Sequence, residues 1–299
     1  MITIDRRPLP RSLRVGTSSF SSTDWHGGFY PVGMAPGEFL SHYATQLDTV
    51  EIDATWHMMP AVRTVKGWAD KVPDGFTFSL KVPKHITHDR YLEDCDDEWN
   101  QFLRALEPLG PKLGPVLLQF QYFPKSKNAE EYRTGADFRR RLAHFLEQKP
   151  REMRAVVEVR NSTWLGEPLY DLLRGHGVAL ALVAFYTMPS GPELLRRADA
   201  LTADFSYLRF LGNHREMDDK VARAREEGKR RGDWDELIVD RGEEVRAWIP
   251  TIRSLLDKQT DVFAYFNNHY AGFAPGSIDQ FLKLWAESSG PHRGSSEER

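Results

Sequence analysis

Short apolar runs that end in polar or charged residues recur along the chain, and this pattern limits the fold more than any other feature. Runs of this length, separated by amphipathic stretches, are typical of parallel strands that are buried on both faces. A charge in such a strand is costly unless it is paired or lies at the strand end, facing a cleft. A closed barrel of such strands would gather these ends at one rim and build one polar pocket there. The residues that end the runs are Glu51 and Asp53, Lys81, Gln119, Glu158 and Arg160, Arg209, and Asn267 with Asn268.

The composition is that of a globular protein with a sizeable core. The 299 residues suffice for one large α/β barrel or two ordinary domains, and 40% of them are hydrophobic. A net charge of −3 provides no global basic field for nucleic acid, although a local basic cleft stays open. The single cysteine, Cys95, excludes an intrachain disulfide and fits a reducing compartment. No apolar run is long enough to cross a bilayer and no secretory signal opens the chain, so we expect a cytoplasmic protein without membrane contact.

The alternation of strand-like and helix-like segments predicts a single TIM (β/α)8 barrel with an insertion after strand 7. Predicted strands cover residues 13–17, 49–52, 77–81, 116–119, 155–159, 179–183, 207–211 and 262–266. Predicted helices cover residues 36–46, 63–71, 99–109, 138–148, 169–176, 244–257 and 277–287. We expect an N-terminal extension over 1–12, one barrel domain over 13–287 and a disordered tail over 288–299. The charged insertion, 213–240, is either a solvated helix or a lid over the pocket.

Motifs at the predicted strand ends resemble those of the YecE-like family of TIM-barrel proteins, a domain of unknown function (number seventy-two). The matching segments are 16–18 with 25–31, 50–55 with Pro60, 78–81 with 86–88, 113–119, 157–160 with 162–164, 208–210 with Gly212, and 265–268 with Gly272 and Ala274. They cover nearly the whole chain in the family's order. The resemblance implies a TIM barrel and supplies no reaction. The chain departs from the family pattern at Ser19-Phe20, Gln121-Tyr122 and His269, which leaves the shape of the pocket open.

Four residues are candidates for catalysis. Glu51 and Glu158, at strand ends across a barrel mouth, could have their pKa values pushed apart and act as acid and base. They could equally be held by neighbouring cations, with Lys81 beside Glu51 and an arginine near Glu158. Lys81 could form a Schiff base, but anion binding or ion pairing is the favoured interpretation. His88 would bond to a loop or a substrate, or act as an acid–base group near neutral pH.

A second group of residues is predicted to bind the substrate. Arginine forks match carboxylate or phosphate, and amide side chains at a last barrel strand often contact a polar ligand, although asparagine also bonds to turn backbone. Aromatic side chains near the loops suit stacking on a sugar or base, or simply plug the mouth. The predicted binding residues are Ser18, Trp25, Asp53, Gln119, Arg160, Trp164, Arg209, Asn267 and Asn268.

No cofactor motif is present in the sequence, which lacks a dinucleotide fingerprint, a phosphate-binding loop and a zinc motif. A divalent metal ion bound by residues from Glu51, Asp53, His57, His88 and Glu158 stays an alternative. The leading hypothesis is an enzyme, a hydrolase or isomerase, acting on a small polar or anionic ligand of the sugar or sugar-phosphate type.

Two other classes of function stay open. One is a nucleic-acid-binding or metal-dependent nucleic-acid-processing barrel that uses basic residues of the insertion. The other is a non-catalytic protein that binds a small ligand. The basic residues of the insertion are Lys220, Arg223, Arg225, Lys229, Arg230 and Arg231.

Overall fold

The computed structural model describes residues 1–124, 134–228, 233–258 and 261–288. The predicted disordered tail therefore lies, after Ser288, outside the described residues, as do the basic residues at 229–231 of the insertion. Within these residues, no helix is both long enough and apolar enough to span a lipid bilayer.

Eight parallel strands form one sheet with the hydrogen-bonded order β1-β8-β7-β6-β5-β4-β3-β2, which is that of a TIM barrel. Each predicted strand is present, and the boundaries differ by a few residues at most. The strands are β1 Leu13–Thr17, β2 Thr49–Ile52, β3 Thr77–Lys81, β4 Leu113–Gln119, β5 Ala155–Glu158, β6 Ala179–Phe185, β7 Phe205–Gly212 and β8 Asp261–Phe266.

Helices alternate with the strands and cover the outside of the barrel. They are α1 Phe39–Tyr43, α2 Ala54–His57, α3 Val62–Ala69, α4 Asp96–Leu106, α5 Gly135–Glu147, α6 Glu167–Gly175, α7 Gly191–Arg197, α8 His214–Glu226, α9 Gly242–Asp257, α10 Asn268–Ala271 and α11 Ala274–Glu287. The short helices α2, α7 and α10 were not predicted, because they hold too few residues to show a helical period. Helix α9 continues through Pro250, so this proline marks no helix boundary.

Both faces of the sheet are buried, as the continuous apolar runs predict. In β7, Phe205, Tyr207 and Arg209 alternate with residues such as Leu208 and Phe210 that pack against the helices. Phe205 and Tyr207 belong to a small separate cluster that fills the barrel interior with residues of β4, β5, β6 and β8. The interior is therefore a packed core, and the buried charged residues of the barrel lie at its carboxyl end.

The barrel closes between β1 and β2 through a side chain. Gly16 lies so near β2 that a Cβ there would be 2.2 Å from the Thr49 carbonyl oxygen. The Tyr43 hydroxyl, from α1, accepts a hydrogen bond from the Thr17 amide at 2.9 Å and donates to the Thr49 carbonyl at 3.0 Å. It thus joins the backbones of the two strands that end the hydrogen-bonded order.

The described part of the insertion after β7 comprises α8 and a segment, residues 233–240, that reaches over the carboxyl end of the barrel. We call this segment the cap. The Ile238 amide donates to the Ala271 carbonyl at 2.7 Å, and the cap backbone lies against Gly272. A Cβ at Gly272, whose φ is +105°, would be 2.8 Å from the Glu236 carbonyl oxygen. Glycine therefore allows the cap to approach the loop after β8.

Candidate functional site

The polar ends of the strands meet inside the barrel mouth, as the alternation of side chains requires. Along four of the strands, the residues of the inward parity change from apolar or neutral to charged toward the carboxyl end. The inward series include Thr49-Glu51-Asp53, Thr77-Ser79-Lys81, Val156-Glu158-Arg160 and Phe205-Tyr207-Arg209. The structure thus brings the acids and cations of β2, β3, β5 and β7 together.

Arg209 is the centre of this cluster and has a side chain that is 2% exposed. Its Nε and Nη2 donate to Glu51 Oε2 and Oε1 at 2.9 and 2.6 Å, which is a bidentate pair. Its Nη1 donates to Glu158 Oε2 at 2.7 Å. Burial alone would lower the pKa of Arg209, but Glu158 and Glu51 outweigh it and hold that pKa well above its usual range. One guanidinium therefore holds both acids that were predicted as a catalytic pair.

Glu51 also accepts a hydrogen bond from the barrel interior. The Tyr207 hydroxyl donates to Glu51 Oε2 at 2.6 Å, and the Ser79 hydroxyl lies 2.6 Å from that of Tyr207. Ser79 also lies at 2.7 Å from the Pro115 carbonyl oxygen. All three side chains are buried, so a hydrogen-bonded column runs from the barrel interior to the charged cluster.

Glu158 is held by two arginines. In addition to Arg209, Arg160 Nη2 lies 2.6 Å from Glu158 Oε1, and the Arg160 guanidinium sits 3.9 Å from the centre of the Phe185 ring. Burial alone would raise the pKa of Glu158, but Arg160 and Arg209 outweigh it and lower that pKa to about 2. Glu158 therefore stays ionised across the physiological range of pH.

Asp53 and Lys81 form a second, looser pair. Lys81 Nζ lies 3.8 Å from Asp53 Oδ1, so the expectation that Lys81 pairs with Glu51 is wrong. Arg209 Nη2 lies 3.6 Å from the same oxygen. Burial, then repulsion from Glu51, raises the pKa of Asp53 to about 6. Burial also lowers the pKa of Lys81, against the attraction of Asp53. Both shifts favour the neutral forms of the two groups.

His88 and Trp56 form one wall beside Lys81. Trp56 lies edge to face with His88 at 5.1 Å between ring centres, and Lys81 Nζ lies 4.8 Å from the centre of the Trp56 ring. His88 Nδ1 is 2.8 Å from the Thr87 hydroxyl. Burial, reinforced by Lys81, lowers the pKa of His88 to about 4, below the near-neutral value expected from its residue type. His57 is exposed on the outer side of Trp56.

A cavity of about 160 Å³ lies next to Asp53, between β1, β2 and β8. Ser18 lines this cavity, is 3% exposed, and has a hydroxyl without a hydrogen-bond partner among the described residues. Trp25 and the cap residue Trp234 form its aromatic walls. The cavity is therefore apolar on two sides and offers polar atoms at its base.

The paired asparagines line the same cavity and also bond to their own loop. Asn267 Oδ1 accepts from the His269 amide at 2.9 Å and so caps α10. Asn268 Oδ1 accepts from the Ala274 amide at 3.0 Å and from Trp25 Nε1 at 3.3 Å. Both interpretations that the sequence left open are thus compatible with their positions.

Two histidines at the mouth were missed by sequence reasoning as members of the site. The rings of His214, at the start of α8, and His269 stack at 4.3 Å, and Trp234 packs on His269 at 4.5 Å. Burial, reinforced by His269, lowers the pKa of His214 to about 4. Their positions directly after β7 and β8 were a usable signal, because residues after barrel strands lie at the mouth.

Two residues that were predicted to bind the substrate interact with residues outside the charged cluster. Trp164 stacks between Phe123 and Phe138, at 5.5 and 4.8 Å, in the outer core. Gln119 is buried and its amide donates to the neighbouring Phe120 carbonyl. Packing explains the position of Trp164, and a hydrogen bond to the backbone explains that of Gln119.

The alternatives that involve metal or nucleic acid gain no geometric support. In the part of the chain that the structure describes, no group of three His, Cys, Asp or Glu side chains is arranged to share a metal ion. The predicted divalent ion stays a prediction. In α8, Lys220 pairs with Glu216 at 3.1 Å and Arg225 pairs with Asp233 at 2.9 Å, so acids offset these basic residues.

A larger cavity, about 750 Å³, lies at the opposite, amino end of the barrel. Its lining includes Arg14, Met153, Arg154 and Asp261. TIM-barrel active sites lie at the carboxyl end of the strands, and the buried charged cluster is there. We therefore place the candidate site at the smaller cavity and the cluster beside it.

The fold and this mouth define a TIM barrel that carries a buried network of acids and bases at its carboxyl rim. The chain belongs to the DUF72 family, whose model, described as a protein of unknown function, matches residues 14–298.

Curated relatives and solved structures agree with this assignment. YecE of Escherichia coli K12 is 33% identical over 138 residues, which are 46% of this chain and 47% of YecE, so the match spans about half of that relative. YunF of Bacillus subtilis is 24% identical over 277 residues, 88% of this chain and 92% of YunF. A DUF72 family protein from Thermotoga maritima is similar with a TM-score of 0.70 and 27% identity, covering 92% of this chain and 99% of that one.

Proposed function

We propose that the chain is an enzyme that acts on a small polar or anionic molecule, of the sugar-phosphate type, by acid–base chemistry at the barrel mouth. The observation that carries the proposal is a set of buried polar atoms that converge there without a hydrogen-bond partner among the described residues. Such atoms are rare in folded proteins, and each costs about 1–3 kcal/mol if nothing satisfies it. A bound ligand would satisfy several at once. The atoms are Ser18 Oγ, Asp53 Oδ1, Trp56 Nε1, Arg160 Nε and His214 Nε2.

The donors among these atoms suit an oxyanion. Among them, Trp56 Nε1 and Arg160 Nε can donate to a phosphate or carboxylate. The Lys81 ammonium, which is not in that set, can do so too. With Glu51, Asp53 and Glu158 ionised, the three cations of the cluster are balanced by three anions. While Lys81 stays charged, protonation of Asp53 leaves three cations against two anions, so anion binding and proton uptake by Asp53 support each other in that state.

Asp53 is the proposed acid–base group. A pKa of about 6 lets it exchange protons near neutral pH. Glu51 and Glu158, the acids favoured from sequence, are assigned the task of holding Arg209 in place. Glycoside hydrolysis requires two free carboxyl groups, whereas proton transfer in an isomerisation requires one and a nearby cation. The geometry therefore supports isomerisation better than hydrolysis.

A thermal-shift screen tests the proposal. The panel holds small sugar phosphates, their uncharged parent sugars and inorganic phosphate, each with and without a divalent ion. A ligand at a hundred times its Kd should stabilise the fold by about 2.7 kcal/mol. Arg160→Met should abolish the shift, and Arg63→Met, on the exposed face of α3, should not. A panel with no sugar phosphate or phosphate shift would contradict anion binding.

Asp53→Asn separates an enzyme from a non-catalytic binding protein. For each sugar phosphate that binds, isomer interconversion is followed by NMR with both proteins. We expect the variant to keep ligand binding and lose turnover. Equal turnover in the variant would disprove the acid–base role, and binding without any turnover by the wild type would favour the binding protein.

A further inference from the structure

We infer that Lys81 is a nucleophile that forms an imine with a small ketone or aldehyde. This inference rests on the proposed function, because it places the reaction at the same mouth and uses Asp53. It adds a covalent step and a substrate class, carbonyl compounds, that acid–base chemistry alone does not require.

The surroundings of Lys81 differ from those of an ordinary ion-paired lysine. Its side chain is 12% exposed, and its closest acid, Asp53 Oδ1, is at 3.8 Å, beyond hydrogen-bond distance. Among the described residues the ammonium has no hydrogen-bond acceptor, and it rests 4.8 Å from the Trp56 ring centre. By contrast, Arg209 and Arg160 each lie 2.6 Å from a carboxylate oxygen. Lys81 is thus the cation of the cluster that has no carboxylate within hydrogen-bond distance among the described residues.

A nucleophilic lysine must also be neutral for part of the time. Burial lowers the pKa of Lys81, and this supports the geometric argument. Asp53, with its raised pKa, lies next to the amine and can supply and accept the protons that imine formation needs. The pair therefore contains a nucleophile and an acid.

The step balances with these two groups alone. The neutral Lys81 amine attacks the carbonyl carbon, a carbon–nitrogen bond forms, and protonated Asp53 gives its proton to the carbonyl oxygen. Asp53 then takes one proton from the nitrogen and gives it to the hydroxyl group, which leaves as water. The products are an iminium cation, the Asp53 carboxylate and one water molecule. The cation stays beside Asp53, where the ammonium was, so the charge of the cluster is preserved.

The adjacent cavity sets the size of the substrate. Its volume of about 160 Å³ is similar to that of an engineered protein cavity of about 150 Å³ that binds benzene, so it suits a molecule of about that size. Ser18, Asn267 and Asn268 line it and can bond to hydroxyl groups. We therefore expect a short hydroxylated ketone or aldehyde, with its anionic group toward Arg160.

Borohydride trapping tests the inference. The protein is incubated with dihydroxyacetone phosphate, reduced with sodium borohydride, and analysed by intact mass and peptide mapping. We expect one reduced adduct per chain, located on Lys81. Lys81→Arg should lose the adduct, and Lys84→Arg, on the exposed loop after β3, should keep it. Asp53→Asn should slow adduct formation. Unfolding curves of each variant show that it is folded.

Three outcomes would overturn the inference: no adduct, an equal adduct in Lys81→Arg, or label spread over surface lysines. A thermal-shift measurement with inorganic phosphate separates this failure from failure of the proposed function. Stabilisation by phosphate without an adduct would support anion binding at the mouth and show that Lys81 forms no imine. The absence of both stabilisation and adduct would end both proposals.

Discussion

Arg209 shows how a single residue can decide the state of a whole site. It bonds to Glu51 and Glu158 at once, and all three side chains are almost fully buried. Its charge therefore offsets carboxyl groups from two strands inside the barrel. Removal of one partner from a buried ion pair leaves an uncompensated charge, which is the costly change.

Arg209→Met should destabilise the fold by about 3–5 kcal/mol, because Glu51 loses its bidentate partner and Glu158 loses one of two. Urea unfolding gives the value. Lys66→Met is the matched control, because its pair with Asp70 is exposed and is expected to contribute less than about 1 kcal/mol. Equal effects of the two substitutions would contradict the central role of Arg209.

The raised pKa of Asp53 predicts an unusual dependence of the free energy of unfolding on pH. Its pKa of about 6 in the fold exceeds the unfolded value of about 3.9, so the folded state binds the proton more tightly. The stability of the wild type relative to Asp53→Asn should therefore fall as pH rises from about 4 to about 6, and then level off. We expect a change of about 1–2 kcal/mol, since water screens a side chain that is 31% exposed.

Glu158→Gln is a control for which the dependence of stability on pH should have the opposite sign. With a folded pKa of about 2, Glu158 contributes stability above its unfolded pKa, and this is lost as pH falls toward 2. Urea unfolding at a series of pH values measures both differences. A flat difference for Asp53→Asn between pH 4 and 6 would show that its pKa is not raised.

Strand contacts explain how the elements place the site. β1 and β2 must lie close for Ser18 and Asp53 to share one cavity, and Gly16 permits that approach. The Tyr43 hydroxyl then joins the two backbones. Closure of the barrel and geometry of the site thus depend on the same junction.

Gly16→Ala should destabilise the fold by about 1–3 kcal/mol or more, because the new methyl group would overlap the Thr49 carbonyl. Gly67→Ala, in α3, is the contrasting variant. A Cβ there meets nothing within 4 Å, and alanine favours a helix, so a gain of about 0.5–1 kcal/mol is expected. Thermal and urea unfolding of both proteins compare the values, and a neutral Gly16→Ala would show that the strands have room to separate.

The strands were predictable because the strand period and the polar ends are local properties of the sequence. The inward series Thr77-Ser79-Lys81 can be read directly from alternation. The expectation that Arg160 or Arg209 lies near Glu158 is confirmed, since both pair with it. That Arg209 from β7 also reaches Glu51 on β2 was not predictable from local sequence. Local sequence also could not show that Lys81 would face Asp53 rather than Glu51, or that the cap would bring Trp234 to the cavity.

At the scale of the whole molecule, the two ends of the barrel differ in cavity size and in buried charge. The amino end holds the larger cavity, and the carboxyl end holds the charged cluster. In TIM-barrel enzymes the chemistry takes place at the carboxyl ends of the strands. If the same holds here, choosing the site by cavity volume alone would select the wrong end of the barrel.

Arg154 and Arg160 test this difference between the ends. Arg154 lies at the amino-end cavity and pairs with Asp261 at 2.9 Å. Arg154→Met should leave the stabilisation by a sugar phosphate unchanged, whereas Arg160→Met should abolish it. Thermal shift with the same ligand measures both variants. The reverse result would move the site to the amino end.

The central claim is that the barrel mouth holds a carboxyl group poised to exchange protons near neutral pH. The most direct measurement is an NMR titration of protein labelled with 13C at its aspartate carboxyl groups, with Asp53→Asn used to assign the signal. The account predicts one aspartate that titrates near pH 6 and whose signal is absent from the variant. An Asp53 signal that titrates near the ordinary value of about 3.9 would contradict the account.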